Sequence, residues 1–167
     1  EAEKEIKIKN TAIESAINGI IIFDADEHLI YANQAFLSIF GVKSLDEMLQ
    51  NHIDEFWKIA RDTVPPVDEV KKMLSAEGRW SGELRVKMPG GMLRFFQVSA
   101  TQVKDERGAI LCGMGTFMDI TDQKVIEKAL KTTHEKLQDA IEFMPDPTFI
   151  INRERRVIAW NRALETI

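Results

Sequence analysis

The side chains able to do chemistry in this chain are few and scattered. His28, His52 and His134 are those best suited to ligate a metal or move a proton. None has a partner at metal-ligand spacing, and each is expected to face solvent. Cys112 is the one cysteine, which excludes an internal disulfide and any paired-thiolate metal or c-type haem site. Asp24 and Asp26 fall at an expected turn, where solvation and turn chemistry account for acidic residues. There is no nucleophile elbow, no P-loop and no metal-ligand pair. The expectation is a non-enzymatic chain with no catalytic residue and no metal. What the sequence does supply is aromatic: Trp57 and Trp80 can stack on a flat ring, and Phe36, Phe40, Phe56, Phe96 and Phe117 can line an apolar interior.

These aromatics need a scaffold, and the stretch from Arg79 to Lys124 is its centre. Trp80 to Met88 alternates, with Trp80, Leu84, Val86 and Met88 on one side and Glu83, Arg85 and Lys87 on the other. Pro89, Gly90 and Gly91 turn the chain. Met92 to Val103 puts Phe96, Val98 and Ala100 on one face, and a charged loop ends at Gly108. Ala109 to Met118 is apolar on both faces, so both should be covered. Upstream, an amphipathic helix spans Glu1 to Ile17, and short strands are expected at Ile20–Asp24 and His28–Ala32. Asn33 caps a helix Gln34–Phe40 that Gly41 closes. Ser44 and Glu47 can form a capping box for Leu45–Gln50, and Glu55–Ala60 reads as another short helix. Pro65 and Pro66 break the chain before a helix that runs to about Ala76 and stops at Gly78. Five antiparallel strands with short helices on one face make an α+β fold.

At Trp80-Ser81-Gly82-Glu83, at the Gly-Gly hairpin and at Asp119-Ile120-Thr121 before an exit helix, the chain resembles the PAS family. The resemblance reaches back to about Ala12. It implies a PAS fold: a five-stranded antiparallel sheet, an N-terminal flanking helix (1–17), the domain proper (18–121) and a C-terminal coiled-coil signalling helix (122–143). Along that last helix Ile126, Leu130, Thr133, Leu137, Ala140 and Met144 form a short heptad stripe, read as a parallel dimer seam. The outer face of the last strand, at Cys112, Met114 and Met118, is expected to lie under the N-terminal helix. Residues 141–167 then repeat 13–39 without gaps, with Asn33 matched to Asn161 and Ile39 to Ile167. Residues 144–167 are thus read as the truncated start of a second PAS domain.

The resemblance also frames the ligand. Oxygen-sensing relatives carry an axial histidine on the helix before the three long strands, and Pro66–Ala76 has none. Flavin photoreceptors of the family need a cysteine in the middle helices and polar residues on the inner strands. Here Cys112 is on the last strand, and the inner positions Val86, Phe96 and Phe117 are apolar. Haem and covalent flavin are disfavoured, and loosely bound FAD is a weak alternative. The interior of Phe36, Phe40, Phe56, Trp57, Val86, Phe96, Val98, Gly115 and Phe117 is then either a filled core or a small pocket for an apolar or aromatic molecule. Gly113 and Gly115 leave room on the inner strand face or admit close approach. His134-Glu135 is similar to the phosphoacceptor box of histidine kinases, but Asp139 stands where that box has its proline. A formal charge of −5 argues against nucleic acid, and no apolar run is long enough to cross a membrane.

The function implied is a cytoplasmic signal-transduction module, a homodimer through its flanking helices. Asp119, Ile120 and Thr121 would relay its state to downstream PAS and output domains of a histidine kinase or diguanylate cyclase. The chain, which begins without a Met, is read as excised from such a protein. The rival readings are a ligand-free dimerisation spacer and an FAD redox sensor.

Overall fold

The computed structural model of the protein describes residues 1–49, 51–59 and 61–165. The chain divides into two compact units, Glu1–Thr121 and Asp122–Ile167. In the first, α1 (Ala2–Glu14) precedes β1 (Gly19–Asp24), β2 (Leu29–Ala32), α2 (Gln34–Phe40) and α3 (Ile53–Ile59). A short β3 (Arg61–Val64), α4 (Val67–Glu77) and the three long strands β4 (Arg79–Lys87), β5 (Leu93–Lys104) and β6 (Ile110–Asp119) follow. The sheet is antiparallel in the order β2-β1-β6-β5-β4-β3.

The sheet has six strands rather than the expected five. The addition is β3, an edge strand that meets β4 only at Arg61 opposite Lys87 and Val64 opposite Arg85, across an irregular step. It carries no apolar alternation, and Asp62 inside it has a positive φ of 54°. A short, charged edge strand is a common way to blunt a sheet edge, and it leaves little trace in sequence.

The local signals elsewhere became the expected geometry. Asn33 accepts the Phe36 amide, and Gly41 ends α2 at φ 69°. Gly78 ends α4 at φ 73°. Along β4, Trp80, Leu84 and Val86 are buried while Glu83, Arg85 and Lys87 are exposed. Ser44 precedes a single 3₁₀ turn, Leu45–Glu47, and makes no side-chain cap there. Gln50 and Ala60, to which two of the expected helices extend, lie outside the described residues.

The core is one apolar cluster between the inner face of the sheet and α2, α3 and α4. At its centre Phe36, Phe40, Phe56, Phe96 and Phe117 meet ring to ring, with centroids 4.7 Å apart for Phe36–Phe40, 5.3 Å for Phe36–Phe117 and 5.4 Å for Phe40–Phe96. Each buried aromatic contributes roughly 1.5–3 kcal/mol by leaving water.

Two expectations about coverage do not hold. No residue of α1 is buried, and Ile6 and Ile8 stay exposed. Met114 and Met118 on the outer face of β6 are 39% and 47% exposed, so α1 does not cover them. Among the described residues α1 is held through its C-terminal end, where Asn33 Nδ2 donates to the Ile13 carbonyl and Tyr31 Oη to Glu14.

In the second unit, α5 (Thr121–Glu142) is a single 22-residue helix. It leads to β7 (Phe149–Ile151), β8 (Val157–Trp160) and α6 (Arg162–Glu165), with β7 and β8 paired antiparallel. Ile126, Leu130 and Leu137 are all largely exposed on α5. Among the described residues no helix is long and apolar enough to cross a membrane.

Candidate functional site

Under α3 and α4 the sheet face is not completely filled. A partly enclosed cavity of about 230 Å³ lies between these helices and β1, β5 and β6. Trp57, Val98, Gly115 and Phe117 are in its wall, with Ile21, Val70 and Leu74. Of the other residues assigned to an interior pocket, Phe36, Phe40 and Phe56 face a larger and more open groove of about 1080 Å³ beside β4. Val86 and Phe96 are packed in the core at 1% and 0% exposure and line neither space. The groove carries the ion pairs Lys58–Glu55 and Lys87–Asp62 on its flanks and opens to solvent, so the enclosed cavity is the better candidate for an apolar ligand.

The two glycines of β6 act differently. A Cβ on Gly115 would lie 3.1 Å from Ile21, so its absence gives the cavity wall modest room. A Cβ on Gly113 would fall 1.9 Å from the Phe23 ring. Gly113→Ala must expel that ring, and it is expected to lower stability by about 1–3 kcal/mol, measurable by urea unfolding. A loss within error would mean that the ring is free to move.

The cavity rim is charged, and sequence reading missed it. His28 and His52 were expected to be separate and solvent-facing. Instead they form an isolated backbone bridge, their rings 5.6 Å apart and edge to face, and both are half-buried. The Leu29 amide donates to the Asn51 carbonyl and the Ile53 amide to Glu27, which ties the β1–β2 turn to the start of α3. Asp24 Oδ1 accepts the Asp26 and His28 amides at 3.0 and 2.8 Å. The His28 amide is the largest of the influences that hold the Asp24 carboxyl below its ordinary range. Lys71 of α4 reaches across to Glu27 Oε2 at 3.1 Å and to Asp54. Its hydrogen bond lowers the Asp54 pKa. Burial disfavours the charge of Lys71 itself, but the bonds to Asp54 and Glu27 outweigh this and raise its pKa.

Ligand atoms of Glu27, His52 and Asp54 lie within 4.8 Å of one another. That is a metal-sized grouping where none was expected, yet the Lys71 ammonium already occupies the position between the two carboxylates that a cation would take.

The strand that lines the cavity also ends at the exit helix. After Phe117, Ile120 donates its amide to Phe95 O at 2.8 Å, and the Phe95 amide donates to Thr121 Oγ1 at 3.0 Å. The Thr121 hydroxyl was expected to cap the helix. It donates to Asp119 Oδ1 instead, and the same oxygen accepts the Thr121 amide at 2.9 Å, so Asp119 serves the first helical amide. Arg94 Nη1 adds a 3.2 Å contact to Asp119 Oδ2 and reaches the Ile39 carbonyl at 3.5 Å. The junction is thereby pinned to the start of β5 and the end of α2.

A family model described as PAS domain matches residues 17–122, more than half of the chain. The chain belongs to the PAS domain family. A second PAS domain model matches residues 135–167. Among curated proteins the chain is 27% identical over 150 residues to Sporulation kinase E of Bacillus subtilis (strain 168). That match covers 89% of the chain but only 19% of the kinase. Among solved structures, the PAS domain of a protein from Colwellia psychrerythraea superposes with a TM-score of 0.57 at 16% identity, covering 70% of this chain and 98% of that one. An RNA-binding Light-Oxygen-Voltage receptor gives 0.62 at 17% identity, over 77% and 37%. At these identities the structural likeness speaks for the fold alone.

Within this PAS domain the cavity lies on the inner sheet face and the pinned junction at the strand end. The repeat read from sequence has a matching device in the second unit. Asn33 and Asn161 are both fully buried. Asn33 Oδ1 accepts the Ile20 and Phe36 amides, and Nδ2 donates to Ile13 and Asn18. Asn161 Oδ1 accepts Thr148 and Leu164, and Nδ2 donates to Met144 and Asp146.

Proposed function

We propose that this PAS domain is a sensory module: a small apolar or aromatic molecule enters the 230 Å³ cavity, and its presence is passed along β6 into α5. The observation that carries this reading is that one strand does both tasks. Gly115 and Phe117 stand in the cavity wall, and Asp119 and Thr121, two and four residues further on, fix the helix start. A change in how Phe117 packs therefore acts on the residues that cap the first turn of α5. Native mass spectrometry of freshly purified protein tests the binding step. A retained molecule should appear, and it should be lost in Gly115→Leu, which fills the wall. Its persistence in that variant would remove the cavity from the account. Neither haem nor flavin is part of the reading: the visible spectrum should lack a Soret and a flavin band, and a stoichiometric chromophore would sink it.

The output belongs to the same proposal. The resemblance to Sporulation kinase E supports a kinase-type output, with a cyclase as the other output class; a cytoplasmic setting is part of the same proposal. The exposed stripe of Ile126, Leu130 and Leu137 supports pairing of α5 with its twin in a homodimer, since a helix of this length is marginal unless its apolar face finds a partner. Replacing Leu130 and Leu137 together by glutamate should yield a folded monomer in sedimentation. A variant that remains dimeric would show that α5 is not the seam.

A further inference from the structure

The ligand class can be narrowed beyond small and apolar, on the reading above that the cavity is a ligand site. Much of its lining is apolar, with Trp57, Val98 and Phe117 among the wall residues. Its charged groups are Asp24, Glu27 and Lys71, and Ser75 and Gln102 are the uncharged polar residues of the wall. Among the described residues Lys71 is the one cation of that wall, and it is already engaged by Glu27 at 3.1 Å and by Asp54. Asp24 and Glu27 thus outnumber the one ammonium in that wall, and Asp54 adds a third carboxylate on Lys71. An anionic ligand would have to displace Glu27 or Asp54 from Lys71 and then sit against the remaining carboxylates. A cation meets Lys71 as a like charge but need not break a carboxylate from it, since Asp24 is held by the Asp26 and His28 amides; its approach is favoured by Coulomb attraction that the partly apolar surroundings screen less than bulk water does.

We infer that the cavity takes a small monoamine with an apolar body, its ring among Trp57, Val98 and Phe117 and its ammonium beside Asp24 and Glu27. A volume of about 230 Å³ is below the roughly 300–1,000 Å³ of pockets for drug-sized molecules, which suits one ring with a short arm.

The test compares three near-isosteric probes by calorimetry at pH 8 and low salt: phenethylamine, 2-phenylethanol and phenylacetate. That pH lies above the range in which imidazole side chains ordinarily charge. The amine should bind about tenfold more tightly than the alcohol, and the acid most weakly. In the double variant Asp24→Asn, Glu27→Gln the amine should fall to within about twofold of the alcohol, whose own affinity stays put. The asparagine keeps the oxygen that accepts the Asp26 and His28 amides, so the turn is retained, and circular dichroism checks it. An alcohol or acid that binds as well as the amine overturns the monoamine assignment and leaves the cavity reading standing. An amine preference that survives the double variant also overturns it. Binding of none of the three, with the protein folded, overturns both.

Discussion

Phe117→Ala is expected to lower stability by about 3–5 kcal/mol. The ring is 2% exposed and stands among five aromatic neighbours: Phe36 at 5.3 Å, Phe40 at 5.6 Å, and Phe56, Trp57 and Phe96 each at 6.4 Å between centroids. Removing it withdraws a large apolar area from the core and several edge-to-face contacts at once. It also joins the void to an existing cavity, so the surroundings have less to collapse onto, and the cost belongs at the upper end of that range. Chemical denaturation at constant slope measures it. A loss under about 1 kcal/mol would contradict the assignment of the inner face of β6.

Asn33→Ala should cost about 2–4 kcal/mol, from the loss of a helix cap together with buried groups left without partners. The side chain serves the Ile20 and Phe36 amides with its oxygen and the Ile13 and Asn18 carbonyls with its nitrogen, at no exposure to solvent. Asn33→Asp separates these roles. Its carboxylate retains both amide partners but sets an anion against two carbonyl oxygens. It should be nearly as damaging at neutral pH and partly rescued in acid, where a protonated carboxyl donates to one of them. Equal stability of the aspartate variant and the parent would refute this reading of the clasp. Because Ile13 is in the last turn of α1, the same clasp is what holds the flanking helix to the sheet.

The parts of the fold that were legible in sequence are those decided by neighbours along the chain. The alternation in β4, the Asn33 and Gly41 caps and the Gly78 stop depend on a handful of consecutive residues, and each came out as read. What escaped depends on contacts between distant segments. Lys71 meets Glu27 across 44 positions, and His28 meets His52 only because two loops bridge there. No local pattern marks either. The pocket residues show the same division. Hydrophobic type and strand parity correctly buried Phe36, Phe96, Val86 and Phe117. Which of them would border a void was set by how α3 and α4 dock, and that placed Trp57, Val98, Gly115 and Phe117 on the cavity while closing Val86 and Phe96 into the core.

The central claim is that the state of the cavity reaches the exit helix through the junction at Asp119 and Thr121. Backbone hydrogen exchange, measured with the cavity empty and then saturated with phenethylamine or with any molecule retained on purification, tests it directly. The account predicts slower exchange in α4 and β6, which wall the cavity, together with a several-fold change in the first turns of α5 after Thr121. Protection confined to α4 and β6, with the α5 amides unchanged, would contradict it.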